Sequence, residues 1–109
     1  MITVDEKVGN EVVIKFESET ERDQIMVVME ALAIFGVKNE QYHDGWRAYG
    51  LYGAGFFVKD RANRIWRKVK RDKQFNIEDA LDLINLCAFA IRSQREGNVG
   101  GEYWEQEDF

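Results

Sequence analysis

The sequence holds no proline, one cysteine and one histidine among its 109 residues. Each scarcity closes a set of options. With no proline to break a periodic segment, helix is the first expectation. A lone Cys87 excludes a disulfide framework and a cysteine-based zinc site, and it fits a reducing compartment. His43 has no serine or cysteine at a recognisable spacing, so a nucleophilic triad is not expected and the residue reads as a surface histidine. The opening "MITVDEKVGN" lacks the basic and apolar regions of a signal peptide. Long hydrophobic runs are missing too. The longest mostly apolar stretch, residues 25–37, has 13 residues and is broken by Glu30, too short to span a bilayer. The expectation is a single cytoplasmic domain with no membrane partner.

Charge is present but unevenly placed. The net charge of −5 divides into −6 over residues 1–46 (four Lys/Arg, ten Asp/Glu), +7 over 47–71 (eight and one), and −6 over 72–109 (three and nine). An acidic chain with one basic segment is not expected to bind DNA or RNA generally. It suits a small anion, or a basic helix that neutralises its own acidic neighbours.

The periodicity predicts a mainly α protein. Residues 2–5 and 11–17 read as strands of an N-terminal β-hairpin covering 1–17. Ser18, with Glu21 three residues on, forms a capping box and opens a first helix running to about residue 41. Its middle, "IMVVMEALAIFGV", is apolar nearly all round, which implies burial on more than one side and hence a homo-oligomer. A second helix is expected from Phe56 or Phe57. Its apolar stripe is Val58, Ala62, Ile65, Trp66 and Val69, with Arg61, Arg64, Lys68 and Arg71 on the other side. Asn76 is an N-cap for a third helix that Gly97 ends, with Glu78 and Asp79 in its first turn, where the dipole favours acids. Cys87 falls in that helix's apolar run and reads as core. Three helices, spanning 18–96, would form an oligomeric bundle. Residues 97–109 are an acidic, aromatic tail, which is either disordered or docks on a partner subunit.

Two groups of residues could carry chemistry. "YHDGWRAYGLYGAGFFVKDRANR", residues 42–64, holds Tyr42, Trp46, Tyr49 and Tyr52 beside Arg47 and Lys59, with Arg61 and Arg64 just beyond. Flat aromatics stack on bases and Arg or Lys holds phosphate, so these residues form a candidate nucleotide site. The other reading is a tight, aromatic-filled corner, since the glycine spacing fits neither phosphate-binding loop pattern. The second group is acidic. Glu78, Asp82 and Asn85 fall at i, i+4 and i+7 on an otherwise apolar helix, and Glu30 interrupts the first helix in the same way. In one reading Glu30, Glu78 and Asp82 converge on Mg²⁺. In the other, Asp82 pairs with Arg61 or Arg64 and fixes how the second and third helices pack.

"KNEQYHDGWRAYG", "KDRANRIWRKV" and "NIEDALDLINLCAFAI" together resemble the phage and bacterial family called nucleotide modification associated domain 1. That family is similar to the all-α nucleoside triphosphate pyrophosphohydrolases of the MazG and dimeric dUTPase group. The matching positions are Lys38, Tyr42 and Gly45, then Asp60, Arg61 and Arg64, then Glu78, Asp79, Asp82 and Asn85. The resemblance spans about residues 20–96. It implies a helical, oligomeric fold and a nucleotide-related role in phage biology. The hydrolases' Glu-Glu-x-x-Glu stretch is absent: "VVMEALAIF" keeps Glu30 alone, and the second metal motif survives only as Asp79-x-x-Asp82. The expectation is therefore a non-catalytic protein that binds a nucleotide or cyclic nucleotide and sequesters it as an immune signal. A Mg²⁺-dependent pyrophosphohydrolase and a protein-interaction module without a small ligand are the alternatives.

Overall fold

A computed structural model describes residues 3–4, 9, 11–42 and 45–100. It is mainly helical. Strands β1 (Thr3–Val4) and β2 (Ile14–Lys15) precede helix α1 (Glu19–Tyr42), a 3₁₀ turn (Gly45–Ala48), α2 (Gly50–Asp72) and α3 (Ile77–Glu96). Among the described residues the N-terminal hairpin shows an antiparallel ladder with Thr3 opposite Lys15 and Val4 opposite Ile14.

Local chemistry sets most helix ends where the sequence puts them. The Glu21 N–H donates to Ser18 Oγ, and the Ser18 hydroxyl donates to Glu21 Oε1, both at 3.2 Å. Asn76 Oδ1 accepts from the Asp79 N–H at 3.2 Å and caps α3. At the other end Gly97 adopts φ +71°. Its N–H donates to the Gln94 carbonyl while the Asn98 N–H donates to the Ser93 carbonyl, a Schellman motif.

The start of α2 departs from expectation. The helix begins at Gly50, about two turns before Phe56, because a distant segment caps it. The Leu51 and Tyr52 N–H groups donate to the carbonyls of Asn98 and Val99, at 2.9 and 3.1 Å. These are first-turn donors with no partner inside their own helix. The approach is so close that a Cβ on Gly50 would strike the Gly100 backbone, and Gly50 itself sits at φ +60°. Much of the glycine-rich segment is thus a tight corner, closed by the residues that follow α3. Residues 98–100 dock on their own chain's α2, and 101–109 lie outside the described residues.

The helices α2 and α3 form an antiparallel hairpin that holds most of the core. Ala54 and Ile65 of α2 and Leu81, Leu86 and Phe89 of α3 are buried, joined by Ala31 of α1. α1 meets α3 chiefly through residues 31–38: Asn85 Nδ2 donates to the Ala31 carbonyl at 2.7 Å, and Lys38 Nζ to Asp82 at 2.8 Å. Much of the apolar surface of α1 is exposed. Met26, Val27, Val28, Met29, Leu32 and Val37 all count among the exposed large apolar residues. The Cα radius of gyration is 16.2 Å, against roughly 13 Å for a compact chain of this length. Cys87 and Trp66, both expected in the core, are exposed instead, Trp66 at 58 %.

Candidate functional site

Several residues singled out in the sequence, Lys38, Asp60, Arg61, Arg64, Asp79, Asp82 and Asn85, converge where α1, α2 and α3 meet. Asp79, the first-turn aspartate of α3, is the hub. Its Oδ1 accepts from Arg64 Nη2 at 2.7 Å, and its Oδ2 accepts from Asn76 Nδ2 at 2.8 Å. Asp82, one turn on, takes Lys38 at 2.8 Å. Arg61 lies between the two, with Nε 3.7 Å from Asp79 Oδ1 and 3.7 Å from Asp82 Oδ2, and its Nη1 donates to Asp60 at 2.9 Å. Three cations and three carboxylates thus balance in one half-buried network. Arg61 Nε is buried without a hydrogen bond.

Of the two partners the sequence offers Asp82, Arg61 is the one at ion-pair distance, and Arg64 pairs with Asp79 instead. The hydrogen bond to Asp82 comes from Lys38, a partner the sequence reading did not name. Arg61 sits on the inner side of α2 rather than opposite its apolar stripe, because the α3 aspartates neutralise it there. Charge complementarity lets a guanidinium occupy an interhelical position that apolar periodicity alone assigns elsewhere. The overlooked hub was legible in one signal: Asn76-x-x-Asp79 is an N-cap spacing that aims the Asp79 carboxylate back at the end of the preceding helix.

The carboxylates do not assemble as metal ligands. Glu30 and Glu78 are exposed, and among the described residues no group of three or more His, Cys, Asp or Glu is placed to hold a metal ion. Asp79 and Asp82 face Lys38, Arg61 and Arg64, and that cationic surround opposes a divalent cation. The donor set does not fit Mg²⁺.

A second cluster lies on the outer face of α2, turned away from α3. Tyr52, Phe56, Lys59, Asn63, Trp66 and Lys70 recur at three- and four-residue spacing, and all are exposed. Lys70 Nζ lies 5.6 Å from the Trp66 ring centroid, in cation–π range. No carboxylate occupies these positions, and Arg67 lies beside Trp66. Of the sequence-derived candidates, Tyr52 and Lys59 belong to this face. Arg47 is exposed on the 3₁₀ turn, where its carbonyl accepts from Asn98 Nδ2 at 2.8 Å. Tyr49 packs edge-on against Phe57 at 5.5 Å and overlies Gly53, where a Cβ would come within 2.5 Å of the Tyr49 Cβ. Arg61 and Arg64 are committed to the ion network. The side chains of Tyr42 and Trp46 lie outside the described residues.

No helix among the described residues is long and apolar enough to cross a membrane. Comparison with family models, curated proteins and solved structures finds no match to this chain.

Proposed function

We propose that the chain binds a nucleotide, linear or cyclic, on the outer face of α2 and does not hydrolyse it. The observation that carries this reading is the exposed stripe from Tyr52 to Lys70, which sets Tyr52, Phe56 and Trp66 beside Lys59 and Lys70 and holds no acid. Each base has a π-face to stack on Tyr52, Phe56 or Trp66, and Lys59, Arg67 or Lys70 offers a partner for phosphate. Binding without turnover follows from the acidic groups. Asp79 and Asp82 are engaged by Lys38, Arg61 and Arg64, which leaves, among the described residues, no carboxylate set for a metal-activated water. The phage-type role in the host cytoplasm that the resemblance implies, sequestration of a nucleotide signal by a homo-oligomer, is part of the same proposal.

The test is thermal shift against mono-, di-, tri- and cyclic nucleotides, with short oligonucleotides as a control, followed by chromatography of the recovered ligand. A ligand at a hundred times its Kd should add about 2.7 kcal/mol of stability. Trp66→Ala and Lys59→Ala should each weaken that shift, and the ligand should return intact. Recovery of pyrophosphate or monophosphate would instead establish an enzyme. No shift with any nucleotide would overturn the reading.

The uncovered apolar surface of α1 favours a second reading, a protein-interaction module without a small ligand. Under it no nucleotide stabilises the fold, and α1 substitutions abolish association while α2 outer-face substitutions do nothing.

A further inference from the structure

The side of α1 turned away from α3 has a pattern of its own. Ala31 and Lys38, two turns apart, face α3 through Asn85 and Asp82. At about 100° per residue, Arg22, Met26, Met29, Ala33, Gly36 and Glu40 all fall on the opposite side of the helix. Every one of them is exposed, with Met26 at 59 % and Met29 at 47 %. Val37, at 61 %, flanks them. The face presents a run of apolar and small side chains between Arg22 at one end and Glu40 at the other.

We infer that this face pairs with the same face of a second copy, running antiparallel about a two-fold axis near residue 31. This deepens the assembly reading above, on which it rests. Two independent features are self-complementary under that reversal. The first is charge. Arg22 and Glu40 lie five turns apart at the same azimuth, about 27 Å along the helix, so reversal sets each Arg22 beside the other copy's Glu40, at both ends of the seam. The second is size. The bulky Met26 and Met29 sit on the N-terminal side of the axis, and the small Ala33 and Gly36 sit on the C-terminal side. Reversal lays large groups over small ones, which lets the helices approach closely and interdigitate. A parallel copy would place Arg22 by Arg22, Glu40 by Glu40 and methionine against methionine. A two-fold, isologous contact is also the commonest way for one chain to cover its own apolar surface.

Sedimentation velocity on the full chain between about 1 and 100 µM should show a reversible dimer or a multiple of it. Ala33→Glu puts two like charges against the seam's centre and should weaken the dimer at least about a hundredfold, with the helical circular dichroism spectrum retained. Arg22→Glu and Glu40→Arg should each weaken it, by about tenfold for two symmetry-related pairs. The double variant R22E/E40R should recover the wild-type constant. A monomer throughout the range would overturn both the assembly and the seam. A dimer indifferent to Ala33→Glu, or one that the double variant fails to restore, would overturn this seam and leave assembly through another face.

Discussion

Helix α3, inside the α2–α3 hairpin, and helix α1 are built from similarly apolar sequence and meet different fates. In the hairpin, most demands are met inside the protomer. Ile65, Leu81, Leu86 and Phe89 cover one another, Asn76 and Gly97 cap the helix ends, and Arg64 ties Asp79 across the gap. In α1 the apolar middle has one covered side. Asn85 and Asp82 fix residues 31 and 38 on α3, while Met26, Met29 and Leu32 face outward. Stretches of equal hydrophobicity therefore do different jobs. The hairpin holds most of the single chain's core, and α1 leaves much of its apolar surface in water. Apolar area left in water is the free energy that association can still gain.

Substitutions can break this contrast or sharpen it. The largest effect should come from the hairpin core. Phe89→Ala removes a buried ring and should cost about 3–5 kcal/mol in chemical denaturation, independent of protein concentration. Asp79→Ala comes next. It strands Arg64 and Arg61 and removes a partner of Asn76, but Arg64 is 42 % exposed and can reach solvent. The loss should therefore be about 2–3 kcal/mol, below that of a fully buried pair. An unchanged denaturation midpoint would show that packing alone holds α2 on α3. Asn76→Ala removes the α3 cap and should cost about 1 kcal/mol, with Asn76→Ser recovering most of it.

The smallest effect belongs to the exposed end of α2. The Arg71 guanidinium hydrogen-bonded to Asp72 holds that carboxyl below its ordinary pKa and raises the Arg71 pKa. A lowered carboxyl pKa adds stability above the unfolded value and loses it as pH falls through the folded one. The pair is exposed and solvent screens it, so Asp72→Asn should leave the melting temperature at pH 7 unchanged within error. Only a slight flattening of the acid limb should appear. A clear loss at pH 7 would mean that Asp72 has a partner beyond Arg71.

The sequence by itself determined the elements that depend on neighbours a few residues away. The capping box at Ser18, the cap at Asn76 and the Schellman turn at Gly97 are short-range hydrogen-bond patterns, so they could be read before any fold was known. The mainly helical class followed from periodicity in the same way. What the tertiary structure decided was which face of each helix turns inward, and which distant groups meet. Apolar periodicity put Trp66 on the inner stripe of α2 and Arg61 outside. The α3 aspartates reverse that choice, because a charge is tolerated inward where an opposite charge waits. Gly50 read as a loop residue because the carbonyls that start α2 there belong to Asn98 and Val99, some fifty positions away. The same holds for the candidate site. The aromatic and basic residue types were visible in the sequence. Withdrawing Arg61 and Arg64 into an ion network, and leaving Tyr52, Lys59 and Trp66 in solvent, required α3 to be in place.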